Sequence, residues 1–96
     1  MKLKSVFLNY PDSPDYVFYC PGCKGSHGVW VTRPNRVTGA KWTFNGNMEK
    51  PTFEPSLLIG HRPDVCHSFV RDGNIQFLGD CTHALAGKTV ELPEFP

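Results

Sequence analysis

Four cysteines and four histidines are the residues of this chain whose types and spacing could do chemistry. Cys20 and Cys23 form a CPGC motif, and the stretch CHSFVRDGNIQFLGDCTH carries Cys66, His67, Cys81 and His83. Two thiolates separated by Pro-Gly, with Lys24 and Gly25 following, make a knuckle. Its glycines permit a turn that aims backbone N–H groups at the sulfurs. One pair cannot fill a tetrahedral site, so a second pair must come from elsewhere. Cys20, Cys23, Cys66 and Cys81 are therefore read as a structural Zn2+ set, with His83 and then His67 as alternates for the fourth position. In a helix Cys81 and His83 would point about 200° apart, so only one of them would face the metal. A redox-active CxxC would precede a long helix, and no helical pattern follows Cys23. His27 lies close enough to the knuckle to hydrogen-bond a thiolate.

The elements that must position these ligands are strands. Asp72-Gly73 is a type I′ turn signal, and a two-residue turn there pairs Arg71 with Asn74, Val70 with Ile75 and Ser68 with Phe77. Side chains alternate along a strand. One face is then Cys66, Ser68, Val70, Ile75 and Phe77, and the other is His67, Phe69, Arg71, Asn74, Gln76 and Leu78. The first is the more apolar and should face the core, which turns Cys66 inward and His67 outward. Further strands are expected at residues 3–8, 16–20, 28–32, 41–44, 56–59 and 89–92, with Asn45-Gly46 as a second two-residue hairpin turn. Asp80 reads as a helix N-cap and Gly87 as the residue after a helix end, so residues 80–86 are expected to hold at most one short helix. The fold class is mainly β: a small antiparallel sheet of hairpins clamped by zinc, in one domain over residues 1–96.

The bulk composition agrees with this and narrows the function classes. Ninety-six residues with nine Gly and nine Pro describe one turn-rich core that a metal would help to hold. The net charge of +1 provides no footprint for nucleic acid, whose binding is supported only weakly by Arg33, Arg36 and Lys41 beside Trp30 and Trp42, and the two tryptophans are read as core rather than as base-stacking groups. The apolar run at residues 6–8 is too short for a signal peptide, and no segment reaches the roughly 18 apolar residues of a membrane span. A cytoplasmic, reducing setting follows as the expectation, which favours metal over disulfides. No HExxH helix, deaminase H-x-E with P-C-x-x-C, G-x-S-x-G, P-loop or G-x-G-x-x-G occurs. Four protein ligands would close the metal, leaving no open position for catalysis at it. The expected function is a binding module for a host or phage protein, with no catalytic residue assigned. The alternative is a small zinc-dependent hydrolase with an open metal position near His67, Asp80 and His83.

The segments CPGCKGSHGVWV, WTFNGNMEKPTFEPSLL and CHSFVRDGNIQFLGDCTHALAGKTVELP resemble a family of small proteins of tailed phages and prophages, some of which carry the label "ammonia monooxygenase". Nothing in this chain fits that label, since it has neither a membrane span nor a histidine-rich copper pattern. The C-x-S of CHSF and the P-S of EPSLL also resemble a zinc-binding domain encoded beside bacterial ubiquitin-like conjugation genes. In that relative a histidine stands where this chain has Phe69. These resemblances imply a phage origin and a zinc-stabilised fold, and supply no substrate.

Overall fold

A computed structural model describes residues 1–6, 13–61 and 63–96 of the chain. The described residues form eight strands and no helix. β1 (Leu3–Ser5), β2 (Tyr16–Cys20) and β3 (Gly25–Val29) make an antiparallel sheet in that order. β4 (Thr43–Phe44), β5 (Phe53–His61), β6 (Asp64–Arg71), β7 (Asn74–Phe77) and β8 (Thr89–Glu91) make a second, a meander in which each strand pairs with the next. The expected strand at residues 3–8 ends at Ser5, and residues 7 and 8 lie outside the described residues.

The β6–β7 register follows from the Asp72-Gly73 turn. Both residues have positive φ, 53° and 81°, as a type I′ turn requires. Arg71 pairs with Asn74, Val70 with Ile75 and Ser68 with Phe77. Cys66, Ser68, Val70, Ile75 and Phe77 are buried, in a core shared with Phe18, Val29, Phe53, Leu57 and Leu92. His67 and Phe69 face the other side, where the Arg71 guanidinium lies 4.1 Å from the Phe69 ring centroid.

Two local expectations are corrected, and a third stretch, allowed at most one short helix, holds none. Asn45-Gly46 does not close a two-residue hairpin. β4 pairs with β5 through Thr43–Glu54 and Phe44–Phe53, so the connection is a longer loop. That loop is organised by side-chain acceptors, Asn45 Oδ1 taking the N–H of Asn47 and Thr52, and Asn47 Oδ1 taking those of Glu49 and Lys50. The strand after the knuckle is Gly25–Val29 rather than residues 28–32, because Cys20 pairs directly with Gly25. Residues 80–86 form turns, not a helix. Their backbone bonds close separate turns, Ala86 N–H to His83 O and Lys88 N–H to Leu85 O, rather than a helical ladder.

β5 is the irregular strand. Phe53 pairs with Val70 but Leu57 with Ser68, so the register shifts across Glu54, Pro55 and Ser56. A proline, lacking an N–H, belongs at such a bulge. Beyond it Leu58 stands opposite His67 and Ile59 opposite Cys66.

Candidate active site and candidate metal centre

Two clusters of chemical side chains lie on opposite faces of β6. On the inner face, one ligand atom from each of Cys20, Cys23, Cys66 and His83 comes within 4.8 Å of the other three. Cys20 ends β2, Cys23 sits in the turn before β3, Cys66 is on β6, and His83 lies in the turns after β7. The cluster therefore ties the two sheets together. As the knuckle geometry demands, the Cys23 N–H donates to Cys20 Sγ at 3.3 Å.

The protonation pattern is that of a crowded thiol cluster. Cys66 donating to Cys20 across 3.9 Å holds the Cys20 thiol well below its usual range, and neighbouring His27 adds to this against the opposing effect of burial. The same hydrogen bond, then burial, pushes the Cys66 thiol up. Burial raises Cys23. Several thiolates this close repel one another unless a cation is shared among them.

His83 supplies the test of whether a metal fits. Its Nδ1 accepts from the Leu85 N–H at 3.2 Å and its Nε2 is buried without a hydrogen-bond partner, a costly arrangement unless another group engages it. The ring is wedged edge-on to Phe77 at 4.5 Å and lies against Gly22, where a Cβ would come within 2.3–2.7 Å of three of its atoms. Only glycine allows that approach. Three thiolates and one imidazole suit a borderline-soft divalent cation, so these four residues can hold a metal ion.

Cys81 is not among the four. Its Sγ accepts the His67 N–H at 3.2 Å and donates to the His67 carbonyl at 3.1 Å. Thr82, between Cys81 and His83, is pinned to Val65 through both its N–H and its hydroxyl. With the middle residue fixed to the strand edge, Cys81 is spent on the His67 peptide and His83 reaches the thiols. His67 is also outside the cluster, as its outward register dictates.

On the outer face His67 is the centre of a different array. Its Nδ1 lies 3.0 Å from Asp80 Oδ2 and its Nε2 lies 3.1 Å from Ser56 Oγ. A carboxylate only accepts hydrogen bonds, so Nδ1 carries the ring proton and Nε2 is left to accept from the serine hydroxyl. Ser56 lies on β5 two residues before Leu58, which faces His67, so the serine reaches the ring diagonally across the strand pair. Asp80 comes from the turn after β7 and is no helix cap. The array is open to solvent on one side, the His67 and Asp80 side chains being 24% and 50% exposed. A serine, an imidazole and a carboxylate in one hydrogen-bonded line are the apparatus of nucleophilic acyl transfer, whatever their order in the chain.

Sequence reasoning met Ser56 only in the P-S of EPSLL and gave it no catalytic role. No G-x-S-x-G surrounds it, and the one signal that could have singled it out is the β5–β6 register. That register depends on the short connection between His61 and Asp64, inside what reads as a loop over residues 60–64.

A family model described as "Bacterial ubiquitination-like system serine protease (BubE)" matches residues 4–78. The matched span includes Cys20, Cys23, Ser56, Cys66 and His67. It agrees with the resemblance to a domain encoded beside ubiquitin-like conjugation genes. No curated protein and no solved structure matches the chain. A match over 75 consecutive positions (4 to 78) of 96 is more than half of the chain, and with it the protein belongs to the BubE family.

Proposed function

We propose that this protein is a serine protease in which Ser56 is the nucleophile, His67 the general base and Asp80 the group that orients and stabilises the imidazole. The observation that carries the reading is the unbroken line from Ser56 Oγ through His67 Nε2 and Nδ1 to Asp80 Oδ2, at 3.1 and 3.0 Å. In the first half-reaction the Ser56 hydroxyl proton passes to His67 Nε2 as Oγ bonds to the scissile carbonyl carbon. The imidazolium then returns that proton to the leaving nitrogen as the C–N bond breaks, giving an acyl-enzyme and a free amine. Water repeats the sequence, with His67 taking its proton and giving it back to Ser56 Oγ, so the carboxylic acid leaves and the enzyme is unchanged. The printed family description, a serine protease of a bacterial ubiquitination-like system, supports the same reaction class.

In this reading Cys20, Cys23, Cys66 and His83 hold a structural zinc, whose contribution is to fix the fold rather than to take part in the reaction. The expected binding module thus becomes an enzyme. The alternative, a zinc-dependent hydrolase, would place an open metal position near His67, Asp80 and His83. Here the His67 ring is hydrogen-bonded to Asp80 through Nδ1 and to Ser56 through Nε2, and His83 lies with the cysteines.

Labelling with a fluorophosphonate probe tests the assignment. The wild-type chain should be modified on Ser56, located by peptide mass spectrometry, and Ser56→Ala should take no label. No labelling, or labelling at another serine, overturns it.

A further inference from the structure

The outer edge of β5 leads away from Ser56 and is left open. β4 covers β5 only at Phe53 and Glu54. Which main-chain groups the rest of the edge presents can be worked out from β6. The His67 carbonyl accepts from Leu78 N–H, and the His67 N–H is directed at Cys81 Sγ, so both point away from β5. Leu58 and His67 are therefore a non-hydrogen-bonded antiparallel pair, and the Leu58 N–H and C=O point outward, away from β6. Ser56, two residues earlier, presents its carbonyl on the same side, and Trp42 Nε1 donates to it at 3.2 Å. At Leu58 no described residue does the equivalent.

That edge borders a groove of about 380 Å³ between the two sheets. Its walls include Trp30, Trp42, Leu58 and, from β3, Ser26 and Gly28. No acidic or basic side chain lines it, apart from His27. Leu58 is 60% exposed, although large and apolar, and Trp30 Nε1 is buried without a partner. An apolar trough, an open strand edge and an unsatisfied indole N–H thus lie together along β5, and Trp42, which lines the trough, reaches the Ser56 carbonyl.

We infer that this groove is the substrate channel, and that it binds an extended, uncharged stretch of polypeptide as an added strand on β5 at Leu58. The inference rests on the serine protease reading and goes beyond it by naming the conformation and polarity of what is cut. Main-chain pairing with Leu58 holds the peptide in register, and the indoles cover its side chains. Because a strand directs alternate residues to its neighbour, only every second substrate amide contributes.

The probe is the hexapeptide cut fastest from a mixed-sequence hexapeptide library, resynthesised with each amide N-methylated singly. A small acetyl ester serves as a separate measure of Ser56 itself. Removing an amide hydrogen that faces β5 should lower kcat/KM at least tenfold, and methylation at the intervening positions should have little effect. Leu58→Pro removes the outward N–H without touching the pairing with β6, and Ala40→Phe fills the groove from its far wall. In both, the ratio of peptide to ester turnover should fall at least tenfold. If Leu58→Pro does not fold, as judged by its thermal transition, Ala40→Phe decides. Peptide cleavage that is indifferent to N-methylation and to both substitutions overturns the channel while leaving Ser56 as nucleophile. An ester hydrolysis that survives Ser56→Ala overturns both.

Discussion

His67 depends on two neighbours of unequal chemical weight. In the proposed reaction Ser56 provides the attacking oxygen, while Asp80 selects the tautomer that makes Nε2 a base. Asp80→Asn keeps the shape but offers a donor where an acceptor is needed. It should lower kcat by roughly 10³–10⁴-fold with little change in KM, as measured on any substrate the wild type turns over. At the Cys–His cluster the decisive residue is one with no side chain. A Cβ on Gly22 would meet the His83 ring at 2.3–2.7 Å, so Gly22→Ala should displace the histidine. Zinc content measured on the purified variant should fall below one ion per chain, whereas Cys81→Ala should keep a full equivalent, because Cys81 lies outside the ligand cluster.

At the scale of elements, the turn segment over residues 80–83 is read as the link between the two sites. Asp80 binds the His67 ring, Cys81 the His67 peptide, Thr82 the Val65 peptide, and His83 joins the cysteines. Cys81→Ala removes the tie at the His67 peptide, an interaction worth about 1 kcal/mol. It should slow hydrolysis several-fold without loss of zinc, and Cys81→Ser, which restores a donor and acceptor, should recover most of the rate. The segment after β3 is pinned by Asp15. Burial opposes ionisation of Asp15, but hydrogen bonds from Thr32 N–H, Val31 N–H and the Thr32 hydroxyl outweigh it and hold its carboxyl below the usual range. A carboxylate depressed in the folded state contributes stability above its unfolded pKa, near pH 4, and loses it as pH falls through the folded value. Asp15→Asn should therefore lower the melting temperature at pH 7, and the difference from wild type should shrink as the pH is taken below 4.

For the whole molecule, the Cys–His cluster is where side chains of the three-stranded and five-stranded sheets meet, Cys20 and Cys23 from the first and Cys66 with His83 from the second. A core of this size gives a narrow margin of stability, and a structural zinc in such a domain is part of the folding free energy. Removing it with a strong chelator should abolish the cooperative thermal transition and, with it, fluorophosphonate labelling of Ser56. Re-addition of zinc should restore both. A chain that keeps its transition after the metal is gone would show that the apolar core holds the sheets together unaided. No helix among the described residues is long and apolar enough to cross a membrane.

What could be read from the residues alone was whatever depends on local chemistry and a period of two. The Asp72-Gly73 turn fixed its own hairpin, the alternation along β6 sent Cys66 inward and His67 outward, and CPGC announced a knuckle. These constraints act between residues close in the chain, so the sequence expresses them directly. The fourth member of the cluster was not legible, because the choice between Cys81 and His83 rests on Thr82 being tied to Val65, seventeen residues away. Ser56 was not legible either. Its alignment with His67 arises from a bulge beside Pro55 and from a strand pairing that no local turn signal announces. Sequence determined which side of the strand His67 faces, and tertiary structure alone decided what it meets there, because a strand's faces are set by its own covalent geometry and its partners by long-range packing.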